Sequence, residues 1–222
     1  MNKPLSVRAG VVVASFLLLF VLGLILSGVG QAQGVAADGK GAFSVRYTAQ
    51  FSQDDFSFSK LMDYDLVGLK DGDWMAELGK PMLPSKEIKI ALPTGMAVKG
   101  VWVVNCTEEQ VPGEYNIYPS QPPLTTAETS SGTDFIPPDQ QTYSSSQSYP
   151  AEVARFVNQT DLAGQSMAVV EFFPLRYIPG QNKLTYCSSL TIEINGVAGY
   201  ECGDYLSPNV SENGRKTYEQ MV

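Results

Sequence analysis

The chain has 222 residues, 44% of them apolar and 17% charged, with 15 Lys and Arg set against 23 Asp and Glu for a formal charge of -8. That length and apolar fraction suffice for one sizeable core and exclude a wholly disordered chain, while 20 Gly, 14 Pro, 11 Tyr and 10 Phe argue for strands and turns against a helical bundle. The acidic balance repels a phosphate backbone, which excludes nucleic acid as a partner, and with no histidine the chain can form no Ser-His or Cys-His pair and no His-ligated metal site.

Residues 1–8 carry Lys3 and Arg8 without an acid, and residues 10–26 follow without a charge. A basic start before an apolar stretch is the pattern of an export signal, expected here as a signal helix. Gly30-Gln31-Ala32 and Val35-Ala36-Ala37 both meet the small-x-small requirement, so Ala32 and Ala37 are the candidate cleavage positions. The apolar run also approaches the shortest bilayer span, which leaves an uncleaved anchor as the alternative. Either reading places the remainder outside the cytoplasm, secreted or extracytoplasmic, with the membrane touched only through this segment. The expected division is a signal at 1–37, a β domain at 38–198 and a tail at 199–222.

In residues 43–51, Phe43, Val45, Tyr47, Ala49 and Phe51 alternate with polar residues, which puts one face of a strand in a core and the other in water. Residues 88–92, 98–106 and 166–173 are β-branched or aromatic runs bounded by Pro and Gly. Leu184, Tyr186, Leu190, Ile192 and Ile194 define a second alternating strand, which Gly196 is expected to end. Asn182 suits the turn of a hairpin joining the strands at 166–173 and 184–195. Strands every ten to fifteen residues read as an all-β, jelly-roll-like antiparallel β-sandwich. Trp102, between Val101 and Val103, reads as a core residue, with an aromatic sugar platform formed by Trp74 and Trp102 as the alternative.

Residues 119–148 break this pattern with Pro119, Pro122, Pro123, Pro137 and Pro138 amid Ser, Thr and Gln, and read as a long exposed loop, either a working segment or a connector. No Lys or Arg lies between Lys99 and Arg155, whereas Glu108, Glu109, Glu114, Glu128, Asp134, Asp139 and Glu152 do, which makes the loop side acidic. Asp134, Phe135 and Ile136 are its most anchor-like residues. Asp63, Asp65, Asp71 and Asp73 do not follow a calcium-loop spacing and read as a solvated turn. Cys106, Cys187 and Cys202 allow one intramolecular bridge and leave one thiol over, with the pairing open. No metal or cofactor is expected.

Three blocks in order resemble the N-terminal propeptide of gingipain-type cysteine peptidases. The first is Gly79-Lys80-Pro81-Met82-Leu83-Pro84, followed by Leu92-Pro93 and Val98-Lys99-Gly100-Val101; the second is Tyr143-Ser144 leading to Tyr149-Pro150-Ala151-Glu152-Val153. The third and most specific is Val169-Val170-Glu171-Phe172-Phe173-Pro174-Leu175-Arg176-Tyr177-Ile178-Pro179, with Lys183-Leu184 after it. The likeness covers roughly residues 43–222.

The resemblance implies a β-sandwich that assists folding of the downstream cysteine peptidase catalytic domain in cis and keeps it latent by covering its cleft. It implies no catalytic residue in this chain, a precursor that is a cysteine endopeptidase, and removal by proteolysis, for which Arg215 and Lys216 are the candidate sites. In relatives of basic specificity the long loop offers a basic side chain to the substrate pocket; this chain has none there, so that residue is not carried over, and Asp134, Phe135 and Ile136 stand as the inhibitory-loop candidates. A free-standing exported binding module, for carbohydrate or a surface partner, and a protease inhibitor acting in trans are the competing readings.

Overall fold

The structure, a computed structural model, describes residues 31–38, 41–123, 134–162 and 165–199. It is an antiparallel β-sandwich. One sheet holds β1 (Gln31–Asp38), β2 (Ala42–Gln50), β11 (Lys183–Ala198) and β10 (Leu175–Ile178) in that order, with β7 (Met96–Val111) along the opposite edge of β11. The other runs β5 (Asp73–Trp74), β6 (Pro84–Ala91), β9 (Gln165–Phe172) and β8 (Ala154–Leu162), and β3 (Phe56–Leu61) and β4 (Tyr64–Leu69) form a separate hairpin. Residues 1–30 of the expected export signal at 1–37, the tail with Cys202, and Arg215 and Lys216 lie outside the described residues, while residues 31–37 of that expected signal fall in strand β1.

The alternation of β2 and β11 works as expected. Phe43, Val45 and Ala49 face inward beside Leu190, Ile192 and Ile194, and the last three are fully buried. Across the interior, Ala168, Val170 and Phe172 of β9 present the facing layer, and the rings of Tyr47 and Phe172 meet at 6.1 Å. Burying two apolar faces against each other drives this architecture, at roughly 25 cal/mol per Å² of apolar surface removed from water. Cys106 and Cys187 form a disulfide between β7 and β11 across a sequence separation of 81, which closes the pairing left open above.

Several expectations need correction. The strand does not end at Gly196: β11 runs on to Ala198, paired with both β2 and β7, and glycine serves close approach there, since a Cβ would sit 2.1 Å from Phe43 Cε1 and 2.2 Å from the Ala97 carbonyl. Asn182 does form the turn, at φ 55°, but the arm it joins to β11 is β10, because Pro174 separates β10 from β9 and β9 belongs to the other sheet. Trp102 is not in the core; it is 52% exposed. The same alternation that turns Val101 and Val103 toward one face turns the indole toward the other, and β7 is an edge strand.

Candidate functional site

The segment at 119–148 is not a loose connector over its described parts. Ile117, Tyr118, Pro119 and Ser120 are buried, and they add a short extended stretch beside residues 79–82: Gly79 N–H donates to the Ser120 carbonyl at 2.9 Å, Ser120 N–H to the Lys80 carbonyl at 2.8 Å and Met82 N–H to the Tyr118 carbonyl at 2.8 Å. On the far side Asp139 N–H donates to the Gly79 carbonyl at 2.8 Å, so both stems rest on the same turn. Extended backbone next to an unpaired stretch satisfies its own polar groups this way.

Gln121 closes the base. Its amide nitrogen donates to the Ile136 carbonyl at 2.8 Å and its amide oxygen accepts from the Ile136 N–H at 2.8 Å. One side chain thus imitates a strand neighbour and holds the two ends of residues 122–135 side by side. Just past this clasp, Asp139 caps α1 (Gln140–Tyr143) by accepting from the Thr142 N–H at 2.7 Å, and these hydrogen bonds hold its carboxyl below the usual range. Tyr143 then anchors the segment to the body through its hydroxyl, which donates to the Ile117 carbonyl at 2.7 Å, and burial pushes that phenol well above its ordinary range. Tyr149 and Tyr177 exchange backbone hydrogen bonds at 2.8 and 2.7 Å where the segment rejoins the sheet.

The three anchor candidates sit at this clasp. Asp134 is exposed, Ile136 is half-buried beside Gly79, and Phe135 is 42% exposed with its ring 6.1 Å from Tyr64 and 6.0 Å from Tyr118. Tyr64 opens β4, so the aromatic contact joins the loop stem to the β3–β4 hairpin. That hairpin exposes Phe58, Leu61 and, at its tip, Met62, which is 72% exposed. Phe135 and the hairpin therefore give this end of the molecule an apolar surface.

The acidic residues separate by role. Glu108 pairs with Arg176, Glu109 accepts the Tyr186 hydroxyl at 2.8 Å and Asp139 serves as a helix cap, so these three are engaged within the fold. Asp65 is not in a solvated turn: only 9% exposed, it pairs with Lys60 at 2.8 Å and accepts the Asn116 N–H at 2.8 Å, tying β4 to the strand-like stretch before the clasp. Among the described residues no group of three His, Cys, Asp or Glu side chains is placed to hold a metal ion. The candidate cleavage positions fall in β1, where Ala32 pairs with Tyr47 and Ala37 with Phe43.

Sequence reasoning missed Gln121, Tyr64 and Tyr118. Nothing local marks Gln121, whose partner is backbone fifteen residues away. Asp139 before Gln140-Gln141-Thr142 was a readable cap signal inside the apparent loop.

A family model described as Propeptide_C25 matches residues 57–203, well over half of the chain. The chain belongs to this propeptide family of gingipain-type cysteine peptidases. Membership in a propeptide family means that the chain is not itself the catalytic part of such a precursor. Among solved structures it is similar to the complex of Porphyromonas gingivalis RgpB pro- and mature domains, with 21% identity and a TM-score of 0.59 over 86% of this chain and 95% of that one. It is also similar to the structure describing zymogenic latency of gingipain K from Porphyromonas gingivalis, with 17% identity and a TM-score of 0.58 over 78% of this chain and 100% of that one. At these identities the likeness establishes a shared fold. No curated protein matches the sequence.

Proposed function

We propose that this propeptide acts on the cysteine peptidase catalytic domain of its own precursor, in cis, as folding aid and latency element, with the segment at 119–148 presenting residues 122–135 to the active-site cleft. The observation that carries this reading is the Gln121–Ile136 clasp, which holds the two ends of residues 122–135 together on stems that pair with residues 79–82. A segment held at both ends and stiffened by proline loses less conformational freedom on docking than a free one. It can meet a cleft through main-chain hydrogen bonds, as extended peptides do.

Folding aid and inhibition need only one surface. A partner that binds the native peptidase better than its unfolded chain stabilises the fold by mass action. Without Lys or Arg between Lys99 and Arg155 the segment has no basic anchor, so its contact with the substrate pocket rests on Asp134, Phe135 and Ile136 or on covering the cleft alone. Arg215 and Lys216 are the proposed processing sites. Residues 1–37 are the proposed export signal, which places the precursor in an extracytoplasmic or extracellular compartment; cleavage after Ala32 keeps most of β1, whereas cleavage after Ala37 removes nearly all of it.

The test is titration of the separately produced catalytic domain with this chain. Competitive, saturable inhibition together with a raised refolding yield of the peptidase supports the reading. Full peptidase activity and unchanged refolding at excess propeptide overturn it.

A further inference from the structure

We propose that the outward face of β2, β11 and β7 is a saccharide-binding platform, with Trp102 as the stacking surface and Glu193, Arg46 and Asn195 as its hydrogen-bonding groups. None of these residues takes part in the Gln121–Ile136 clasp.

Register places these residues together. Glu193 is the direct cross-strand partner of Trp102 on one side and of Arg46 on the other, so the three form one row across three strands, about 10 Å wide at the usual strand spacing. Asn195 and Gly100 stand in the next row. The indole lies along the sheet over Gly100: a Cβ there would stand 2.5 Å from Trp102 Cη2 and 2.8 Å from Cζ2, so glycine is what lets the ring lie down. Trp102 in that pose remains 52% exposed and so offers aromatic surface to solvent.

The polar half of the platform is already organised. Arg46 Nε donates to Glu193 Oε2 at 2.7 Å and Asn195 Nδ2 donates to Glu193 Oε1 at 3.2 Å, and the Thr48 and Thr191 hydroxyls meet at 2.9 Å one row away. The Arg46–Glu193 pair neutralises itself, which disfavours a phosphate or an acidic peptide. An apolar protein surface would desolvate both charges without replacing their water contacts. An uncharged polyol meets both demands, because its C–H face stacks on the indole while its hydroxyls donate to Glu193 and accept from Arg46 and Asn195. The shallow, open form fits a polysaccharide chain better than a small ligand that needs a pocket.

The chain's other tryptophan supplies the control. Trp74 is similarly exposed, at 54%, but stands on β5 of the other sheet with its indole N–H committed to the Val67 carbonyl at 2.9 Å. The experiment is native affinity electrophoresis of the full chain through gels containing laminarin, xylan, galactomannan or glycol chitin, with tryptophan fluorescence titration of whichever retards it. At least one polysaccharide is expected to retard the wild type. Trp102→Ala should weaken binding tenfold or more, Glu193→Gln should weaken it measurably, Trp102→Tyr should keep part of it and Trp74→Ala all of it, with unchanged circular dichroism in each variant. Absence of retardation by all four polysaccharides overturns the proposal, as does a Trp102→Ala variant retarded as strongly as the wild type.

Discussion

β7 and β11 are each sixteen residues long and pair with each other along nearly their whole length, yet they have opposite environments. β11 has neighbours on both edges and buries Leu184, Leu190, Ile192 and Ile194 completely, while β7 lies at the sheet edge with Trp102, Val103 and Val104 in water. Pairing alone therefore does not decide burial; position in the sheet and cover from the opposite sheet do. An edge strand that keeps apolar residues exposed is also the element of a sandwich with most to offer a ligand.

Three perturbations sharpen that contrast, in descending order of effect. Ile192→Ala should cost about 3 kcal/mol because it leaves a cavity in the core, whereas Val103→Ala, its register partner on β7, should cost less than about 0.5 kcal/mol. Urea unfolding of the two variants measures both, and equal losses would break the contrast. Removing the disulfide between the same strands by replacing Cys106 and Cys187 with Ala should cost about 2 to 4 kcal/mol through the long loop it closes, although Cys106 lies on the exposed strand. Unfolding midpoints of the wild type and the double variant check this, with no shift meaning that the β7–β11 ladder holds the edge unaided.

The smallest effect is electrostatic. Hydrogen bonding to Arg46 and Asn195 holds the Glu193 carboxyl on β11 below its usual range, and hydrogen bonds from Ser188 and Tyr186 do the same for Glu109 on β7. A depressed folded-state value means that each contribution is present above the ordinary glutamate range, near pH 4.3, and is lost as pH falls through the folded value. Melting temperature followed from pH 6 down to pH 3 should fall less steeply in Glu193→Gln and Glu109→Gln than in the wild type. Curves parallel to the wild type would show that neither carboxylate is coupled to folding.

The contrast also explains what was legible in the sequence. β2 and β11 announced themselves because one face is buried along their length, and strict alternation records that. β9 was visible as an apolar run because Met167, Ala168, Val169 and Val170 are all buried, with cover on both faces. β7 is legible only over residues 98–106, since residues 107–110 are polar and exposed and leave no apolar signature before the buried Val111. β3 escaped for the same reason, since beyond Phe56 all of it is exposed, and β4 escaped because its buried face carries Asp65 beside Val67 and Leu69, so apolar and polar residues do not alternate along it. At the candidate site the proline-rich composition marked the segment, but its anchoring was illegible. Gln121 meets Ile136 only after Tyr118 and Ser120 have paired with the turn at 79–82, a tertiary arrangement with no local pattern.

The central claim is that latency resides in the clasped segment and not in the sandwich faces. It is tested most directly by replacing residues 122–135 with a Gly-Ser linker of equal length, leaving Gln121 and Ile136 in place, and measuring the inhibition constant against the separately produced catalytic domain. A rise of at least a hundredfold, with the circular dichroism and melting temperature of the wild type retained, is the predicted result. An unchanged inhibition constant would contradict the account and assign latency to another surface of the sandwich.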